Sequence, residues 1–331
     1  MGQPGLDASR QSTGLALCGG GARGAYQLGV VEYLAKAGCR PSVIAGTSIG
    51  ALNGSVLAAH DDLGLGVAAL SRVWAGLGEA DGYVELGRHL DSLLGSGNFG
   101  GVVRHFVESL TEPLLDTTVL ERLVYGSVDL DCLQRGTKLW VPAFPLPVKP
   151  AGVGWILDVA DTWLNRGAQW FCVQEFIECG QAYDVILASA AFPALLPTRR
   201  VRGVAYIDGG TRPADNTPIK PLASSCGRVV VAHAASGSLW NRHDWNDRVL
   251  EVIEIRPQRD LEECEGRRLG YFEGLLDFRR SRVLELQERG YCDAKRTFEA
   301  IGRVTGAVRR NRAATGQALR AVERLGETPS G

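Results

Sequence analysis

The stretch GLALCGGGARGAYQLGVVEYL, residues 14–34, decides the fold class of this chain. It begins with the apolar run Gly14–Cys18, which stops at three glycines and so predicts a strand entering a tight turn. Between Gly24 and Lys36 apolar residues then recur at the spacing of a helix packed on a sheet. The stretch therefore predicts the first strand and helix of an α/β fold.

A second strand and helix follow directly. Ser42–Ala45 is a short apolar strand, the chain turns sharply at 46–50, and apolar residues recur at helical spacing up to Ala59. Two strand–helix units in succession predict a central, mostly parallel sheet flanked by helices. Later segments add strands at 138–144, 168–173, 204–207, 228–234 and 251–255, and helices at 61–130, 183–191 and from 269 onward.

The chain of 331 residues divides into a flexible N-terminus at 1–12, an α/β domain at 13–260 and a C-terminal helical region at 261–331. Two segments, Gly95–Gly101 and Pro145–Gly154, are too rich in glycine, proline or serine for regular structure. We expect surface loops there, and the alternative is a pair of elements that gate the site.

Composition excludes several classes of protein. A net charge of −1 lacks the basic footprint of a nucleic-acid-binding protein. The eight cysteines are scattered without the short-spaced pairs of a zinc site, and we expect reduced thiols. The N-terminus lacks the pattern of a signal peptide, and no apolar run reaches the length of a membrane span. The expected location is cytoplasmic, with any lipid approached from solution.

The glycine cluster after the first strand allows two interpretations. Its residues, Gly19, Gly20, Gly21, Ala22, Arg23 and Gly24, satisfy the G-x-G-x-x-G spacing of a dinucleotide-binding loop. That interpretation also needs an acidic residue at the end of the second strand, where residues 45–48 carry none. Backbone N–H groups converging at a helix N-terminus could instead hold an oxyanion. Arg23 would then either fix the loop or lend positive charge.

The second turn, Gly46-Thr47-Ser48-Ile49-Gly50, matches G-x-S-x-G between a strand and a helix. This is the context of a nucleophile elbow, in which Ser48 takes a strained turn and Gly46 and Gly50 leave room for the chain. Because adjacent parallel strands end at the same edge of a sheet, Ser48 and the glycine cluster should face each other. The pattern predicts a serine nucleophile beside an oxyanion hole.

A serine needs a base, and two candidates remain open from the residues alone. Asp208 ends an apolar strand and precedes Gly209 and Gly210, so a shielded carboxylate there could accept the proton itself. His233 follows a later strand and could complete a triad with Asp208, although its apolar surroundings also suit a buried structural histidine.

Four blocks in this order resemble the patatin-like phospholipases: CGGGARGAYQLGVVEYL (18–34), GTSIGALNG (46–54), ASAAFPALLP (188–197) and DGGTRPADNTPI (208–219). The resemblance is close over about residues 14–60 and 183–222 and only general elsewhere. It implies a Ser–Asp dyad without histidine, made of Ser48 and Asp208, with the Gly19–Gly21 loop and Arg23 forming the oxyanion hole. The Asp208-Gly209-Gly210 turn is an accepted variant of that family's signature.

The resemblance also implies a substrate: a phospholipid, a lysophospholipid or another acyl-ester lipid, cleaved without metal or cofactor. Six arginines against one acid between 303 and 324 would attract anionic lipid headgroups, at about 1 kcal/mol per charge, in a peripheral membrane contact. The alternative for this stretch is a solvated helix face. A gated effector with little basal activity, and a Ser–Asp–His esterase, are the other hypotheses. Chain-length preference and oligomeric state stay open.

Overall fold

A computed structural model describes residues 12–78, 83–95, 118–146, 161, 167–193, 195–235 and 251–326. Some of the predictions above lie outside these residues: nearly all of the N-terminal segment, most of the two glycine- and proline-rich segments at 95–101 and 145–154, and the side chains of Arg309, Arg310, Arg320 and Arg324.

Most of the described helices and strands lie where the sequence predicts them, but the strands at 199–201, 263–264 and 267–268 and the helix at 220–223 were not predicted. The helices are α1 Gly24–Lys36, α2 Ile49–Ala58, α3 Leu63–Leu77, α4 Tyr83–Gly95, α5 Thr118–Ser127, α6 Leu130–Arg135, α7 Ala182–Ala190, α8 Lys220–Ala223, α9 Tyr271–Leu276 and α10 Arg280–Gly326. The strands are β1 Thr13–Leu17, β2 Val43–Gly46, β3 Lys138–Pro145, β4 Gln169–Cys172, β5 Arg199–Val201, β6 Val204–Asp208, β7 Arg228–Ala232, β8 Glu251–Ile255, β9 Glu263–Cys264 and β10 Arg267–Arg268.

The central sheet has the strand order β5-β6-β3-β2-β1-β7-β8, with β4 also paired to β3. Strands β3, β2, β1, β7 and β8 run parallel to one another, which confirms the predicted mostly parallel sheet with flanking helices. The additional strands β4, β5 and β6 pair antiparallel. The chain is therefore an α/β protein whose sheet becomes mixed on one side.

The antiparallel strand β6 brings its last residue to the end of β2. Along β3, Trp140 pairs with Ala45 of β2 and, on its other side, with Cys172 of β4. Ala143 pairs with Gln169 of β4 and with Asp208. A strand can pair with one strand on each of its two edges, and β4 pairs along one edge of β3. Strands β2 and β6 therefore pair with successive parts of the other edge of β3. Asp208 thus lies just beyond the point where β2 ends.

The long helix α10 packs along α1, and two glycines permit a close approach. Gly29 of α1 lies against the backbone of Gln287, and Gly290 of α10 lies against the carbonyl of Tyr26, so a Cβ at either glycine would overlap the facing helix. The Tyr26 hydroxyl also lies 3.2 Å from the Asp293 carboxylate. This packing joins the C-terminal helical region directly to the first helix of the sheet. Within the described residues, no helix is long and apolar enough to cross a membrane.

Candidate active site

Ser48 sits in the sharp turn between β2 and α2. Its backbone has φ 56° and ψ −125°, a region that residues other than glycine rarely occupy. A Cβ at Gly46 would overlap the Gly50 backbone, and a Cβ at Gly50 would overlap the Leu17 carbonyl of β1. The turn therefore has room only for glycine on both sides of the serine, and it projects Ser48 into the pocket described below.

Side chains from later in the chain hold this turn. The Ser48 N–H donates to Oγ of Ser189, a fully buried residue on α7, at 3.2 Å. The Thr47 hydroxyl donates to the Asp215 carbonyl at 3.1 Å. Ser189 was missed as a site residue, although it lies in the block ASAAFPALLP that carried part of the resemblance.

Asp208 is buried beside Ser48, with 1% of its surface exposed. Its Oδ1 accepts the Gly210 N–H at 2.6 Å, while its Oδ2 is buried and accepts no hydrogen bond from the described residues. The Ser48 hydroxyl interacts favourably with the carboxylate, but the approach falls short of a full hydrogen bond to Oδ2. Burial outweighs the opposing effects of Ser48 and Gly210 and raises the pKa of Asp208 to about 7.

The glycine loop has some of its N–H groups engaged inside the protein. Gly19 N–H donates to Asn216 Oδ1 at 3.0 Å, and Arg23 N–H donates to the Gly20 carbonyl at 3.2 Å. Gly24 N–H donates back to the Gly21 carbonyl. Gly20 and Gly21 both line the pocket, which makes their N–H groups the candidate donors for an oxyanion. Asn216 is a second residue that the sequence did not single out, and its amide connects the glycine loop to the segment after Asp208.

The structure favours one of the two roles that the sequence left open for Arg23. The side chain is buried, its Nε donates to the Gly20 carbonyl at 3.1 Å, and its guanidinium pairs with Glu262. Arg23 thus fixes the loop through the Gly20 carbonyl.

His233 lies in a separate buried cluster. Its Nδ1 is 3.7 Å from Cys18 Sγ, and its Nε2 is 3.1 Å from the Glu254 carboxylate. Both ring nitrogens are occupied by these neighbours, so neither is directed at Ser48. Burial lowers the pKa of His233 and raises the pKa of the Cys18 thiol to about 12, which keeps both groups neutral. This favours the interpretation of His233 as a structural residue.

A chain of buried polar groups supports the end of β1. Gln27 Nε2 donates to the Cys18 carbonyl at 2.6 Å, Asn53 Nδ2 donates to Gln27 Oε1 at 3.0 Å, and Trp74 Nε1 donates to Asn53 Oδ1 at 3.0 Å. These bonds connect β1 to α1, α1 to α2, and α2 to α3. Satisfied buried networks of this kind specify one arrangement of the elements they join.

The pocket in front of Ser48 and Asp208 is mainly apolar. Its polar end holds Ser48, Asp208, Asn216 and the glycine loop. The remaining walls come from α2, α3, α4, the end of α7 with the segment after it, and α9 with the segment after it. They consist of Ile49, Leu52, Leu77, Tyr83, Ala190, Phe192, Leu195, Leu196, Tyr271, Leu275, Leu276 and Phe278. The described residues contain no group of three or more His, Cys, Asp or Glu that could hold a metal ion.

A serine in a strained strand-to-helix turn, a buried carboxyl and a glycine-rich loop at one apolar pocket form the arrangement of an α/β acyl hydrolase. The family model described as patatin-like phospholipase matches residues 15–223, more than half of the chain. The chain belongs to the patatin-like phospholipase family. The resemblance found in the four sequence blocks is thereby confirmed.

Two fungal lysophospholipases are similar to this chain over short regions. A lysophospholipase nte1 of Aspergillus terreus is 51% identical over 53 residues, and a lysophospholipase NTE1 of Chaetomium globosum is 46% identical over 52 residues. Each match covers 16% of this chain and only 4% and 3% of the two relatives. Among solved structures, VipD from Legionella pneumophila is similar with a TM-score of 0.44 at 14% identity, over 88% of this chain and 67% of VipD.

Proposed function

We propose that this protein is a lipid acyl hydrolase of the phospholipase A, lysophospholipase or carboxylesterase type, with Ser48 as nucleophile and Asp208 as general base. One observation carries the proposal. The Asp208 carboxylate is buried next to Ser48 with Oδ2 unpaired among the described residues, and its pKa is raised to about 7. A carboxylate with that pKa is a far better proton acceptor than an ordinary aspartate.

In the first step Asp208 takes the hydroxyl proton as Ser48 Oγ attacks the acyl carbonyl carbon. The carbonyl oxygen becomes an oxyanion, which the N–H groups of Gly20 and Gly21 stabilise. The ester C–O bond then breaks, and Asp208 returns the proton to the departing alkoxide. The alcohol leaves, and the acyl group remains on Ser48.

In the second step water attacks the acyl-enzyme while Asp208 again accepts a proton. Collapse of the second tetrahedral intermediate breaks the bond between the acyl carbon and Ser48 Oγ, and the proton on Asp208 restores the serine hydroxyl. A fatty acid leaves, so the overall change is ester plus water to acid plus alcohol. No oxidant, metal or cofactor enters the balance.

The substrate class follows from the pocket walls. Leucines, phenylalanines and tyrosines surround the polar end, which suits an aliphatic acyl chain more than a short acetyl group. The named relatives are lysophospholipases, and their matched region supports a lysophospholipid among the substrates. We also propose that the enzyme is cytoplasmic and contacts membranes peripherally. Salt-sensitive binding to anionic vesicles would support the membrane contact.

The pH dependence should report the raised pKa of Asp208. A general base works in its ionised form, so kcat/KM should fall about tenfold for each pH unit below 7 and level off above it. An ordinary aspartate, with its pKa near 3.8, would leave the rate flat down to about pH 5. A pH–rate profile from 5 to 9 distinguishes the two, and a flat profile would contradict a base whose pKa is raised to about 7.

The test of the proposed function is hydrolysis of p-nitrophenyl esters of increasing acyl length, together with labelling by a fluorophosphonate. We expect activity that rises from acetyl to medium or long chains and a covalent adduct on the peptide that contains Ser48. Hydrolysis without an adduct on that peptide would contradict the proposal. A silent purified enzyme that gains activity in cell lysate would favour the gated-effector hypothesis instead.

A further inference from the structure

The family domain covers residues 15–223, but the pocket walls extend beyond it. Tyr271, Leu275, Leu276 and Phe278, on and just after α9, line the same pocket as the nucleophile. The segment that follows β8 is therefore part of the site, and its contacts with the glycine loop show what it contributes.

The first contact is made by Arg23 at the end of the glycine loop. Its Nε donates to the Gly20 carbonyl at 3.1 Å, its guanidinium pairs with Glu262, and its Cζ lies 5.5 Å from the centre of the Tyr271 ring. The Arg23 and Glu262 side chains are only 7% and 14% exposed. Because a charge buried to this extent is stable only when it is paired, the position of Arg23 depends on Glu262.

Glu262 is itself held firmly. Its carbonyl accepts the Leu269 N–H at 2.8 Å, and its own N–H donates to Asp260 Oδ1 at 3.3 Å. The short hairpin of β9 and β10 closes between residues 262 and 269, and Arg268 pairs with Asp260 at 3.0 Å. The carboxylate that meets Arg23 therefore projects from an ordered turn.

The second contact is made at Gly21. This residue has φ +55°, and the carbonyl oxygen of Leu275 lies where a Cβ of residue 21 would be. The C-terminal segment thus lies directly against the part of the loop that carries the proposed oxyanion donors. The glycine is required both for the backbone conformation and for this close approach.

Helix α9 is anchored independently of the glycine loop. The Asp91 carboxylate of α4 accepts the N–H groups of Phe272 and Glu273 at 3.0 and 2.8 Å. Glu273 in turn pairs with Arg88 at 2.8 Å and with Arg267 at 2.5 Å. The C-terminal segment is consequently a fixed support against which the loop can be positioned.

We propose that Glu262 is a positioning residue for the reaction, which acts through Arg23 to hold the Gly20 and Gly21 N–H groups in line with the acyl carbonyl on Ser48. The inference rests on the proposed function, because it assigns an effect on the same oxyanion. It implies that residues outside the family domain complete the catalytic geometry of this chain.

The effect should appear in kcat more than in KM. Glu262 is not among the residues that line the pocket, whereas the oxyanion donors act only once charge develops on the carbonyl oxygen. Loss of an oxyanion donor costs about 10²- to 10³-fold in kcat, and a misplaced donor should cost less, about 10- to 100-fold. We therefore expect a selective fall in kcat when Glu262 loses its charge.

The direct test compares Glu262→Gln with Glu263→Gln in the full-length protein. Glu263 is the adjacent, exposed glutamate and undergoes the same loss of charge. Hydrogen–deuterium exchange of the peptide covering residues 19–24 should become at least about tenfold faster in Glu262→Gln only, since local opening governs exchange. Unchanged exchange would overturn the inference, whether or not the enzyme hydrolyses any ester tested.

The kinetic test adds a double-mutant cycle with Arg23→Gln. If Glu262 acts through Arg23, the double variant should be no slower than Arg23→Gln alone, and Glu262→Asp should recover part of the rate. Additive losses, or equal kcat in Glu262→Gln and Glu263→Gln, would overturn the inference while wild-type activity upheld the proposed function. A wild type without Ser48-dependent hydrolysis would count against the proposed function, and the exchange experiment would still decide the role of Glu262.

Discussion

Replacing Ser48 with alanine is expected to lower kcat for ester hydrolysis by about 10⁴- to 10⁶-fold, up to the roughly 10⁶-fold loss seen when a serine hydrolase loses its nucleophile. The reason is that no acyl-enzyme can form, and only the weak effects of binding and oxyanion stabilisation remain. Alanine has the same Cβ as serine, so the strain of the turn at φ 56° is unchanged and the free energy of unfolding should fall little. The measurement is kcat on the best p-nitrophenyl ester, with the thermal midpoint recorded for the same sample.

Ser55→Ala is the matched control for this change. Ser55 is a fully buried serine on α2, the helix that follows Ser48. Its hydroxyl donates to the Leu52 carbonyl at 2.8 Å, and it does not line the pocket. We expect near wild-type kcat for folded Ser55→Ala. Comparable activity in Ser48→Ala and wild type would show that another group attacks the ester.

Replacing Asp208 with asparagine is expected to have two opposite effects. Activity should fall by about 10²- to 10⁴-fold, because the amide cannot accept the serine proton. Stability at pH 8 should rise, because wild type must then keep an ionised carboxylate in a buried position. With a pKa near 7 in the folded state and 3.8 in the unfolded state, ionised Asp208 destabilises the fold by an amount of up to about 4 kcal/mol.

The sign of this stability effect sets its pH window. Because folding raises the pKa of Asp208 from 3.8 to about 7, the wild-type protein is most stable below pH 4, where this carboxyl is protonated in both states. That stability is lost as the pH rises from about 4 through 7. The advantage of Asp208→Asn in denaturant unfolding should therefore be greatest at pH 8 and about half as large at pH 5.5. Asp131→Asn, which changes an exposed carboxylate on α6, should alter neither activity nor stability. A variant at Asp208 that is inactive and also less stable at pH 8 would contradict a buried ionised base.

Local sequence was sufficient for the parts of this structure that local geometry determines. The glycines after β1 and the small residues around Ser48 are required by the turns they occupy, so a short stretch contains the whole reason for each turn. Apolar spacing identified α1 and α2 for the same reason. These features established the fold class and the pairing of a serine turn with a glycine loop.

The remaining features depend on contacts between distant parts of the chain. The antiparallel direction of β6 is set by its pairing with β3, and the residues of β6 alone do not indicate that pairing. Ser189 and Glu262 act on Ser48 and Arg23 across separations of 141 and 239 residues. The role of Arg23, as charge or as support, could be decided only once its buried partner was known. The role of His233 could be decided only once Cys18 and Glu254 were found beside its two ring nitrogens.

The packing of α10 on α1 has a consequence for the order of biosynthesis. The close approaches at Gly29 and at Gly290, together with the Tyr26–Asp293 contact, join α1 to residues made more than 250 positions later. Proteins begin to fold from the N-terminus during translation, and contacts of long sequence separation form late. While the ribosome is still adding those residues, the face of α1 around Gly29, which α10 covers in the folded protein, stays uncovered. Docking of α10 on α1 should therefore be among the last steps in folding of this chain.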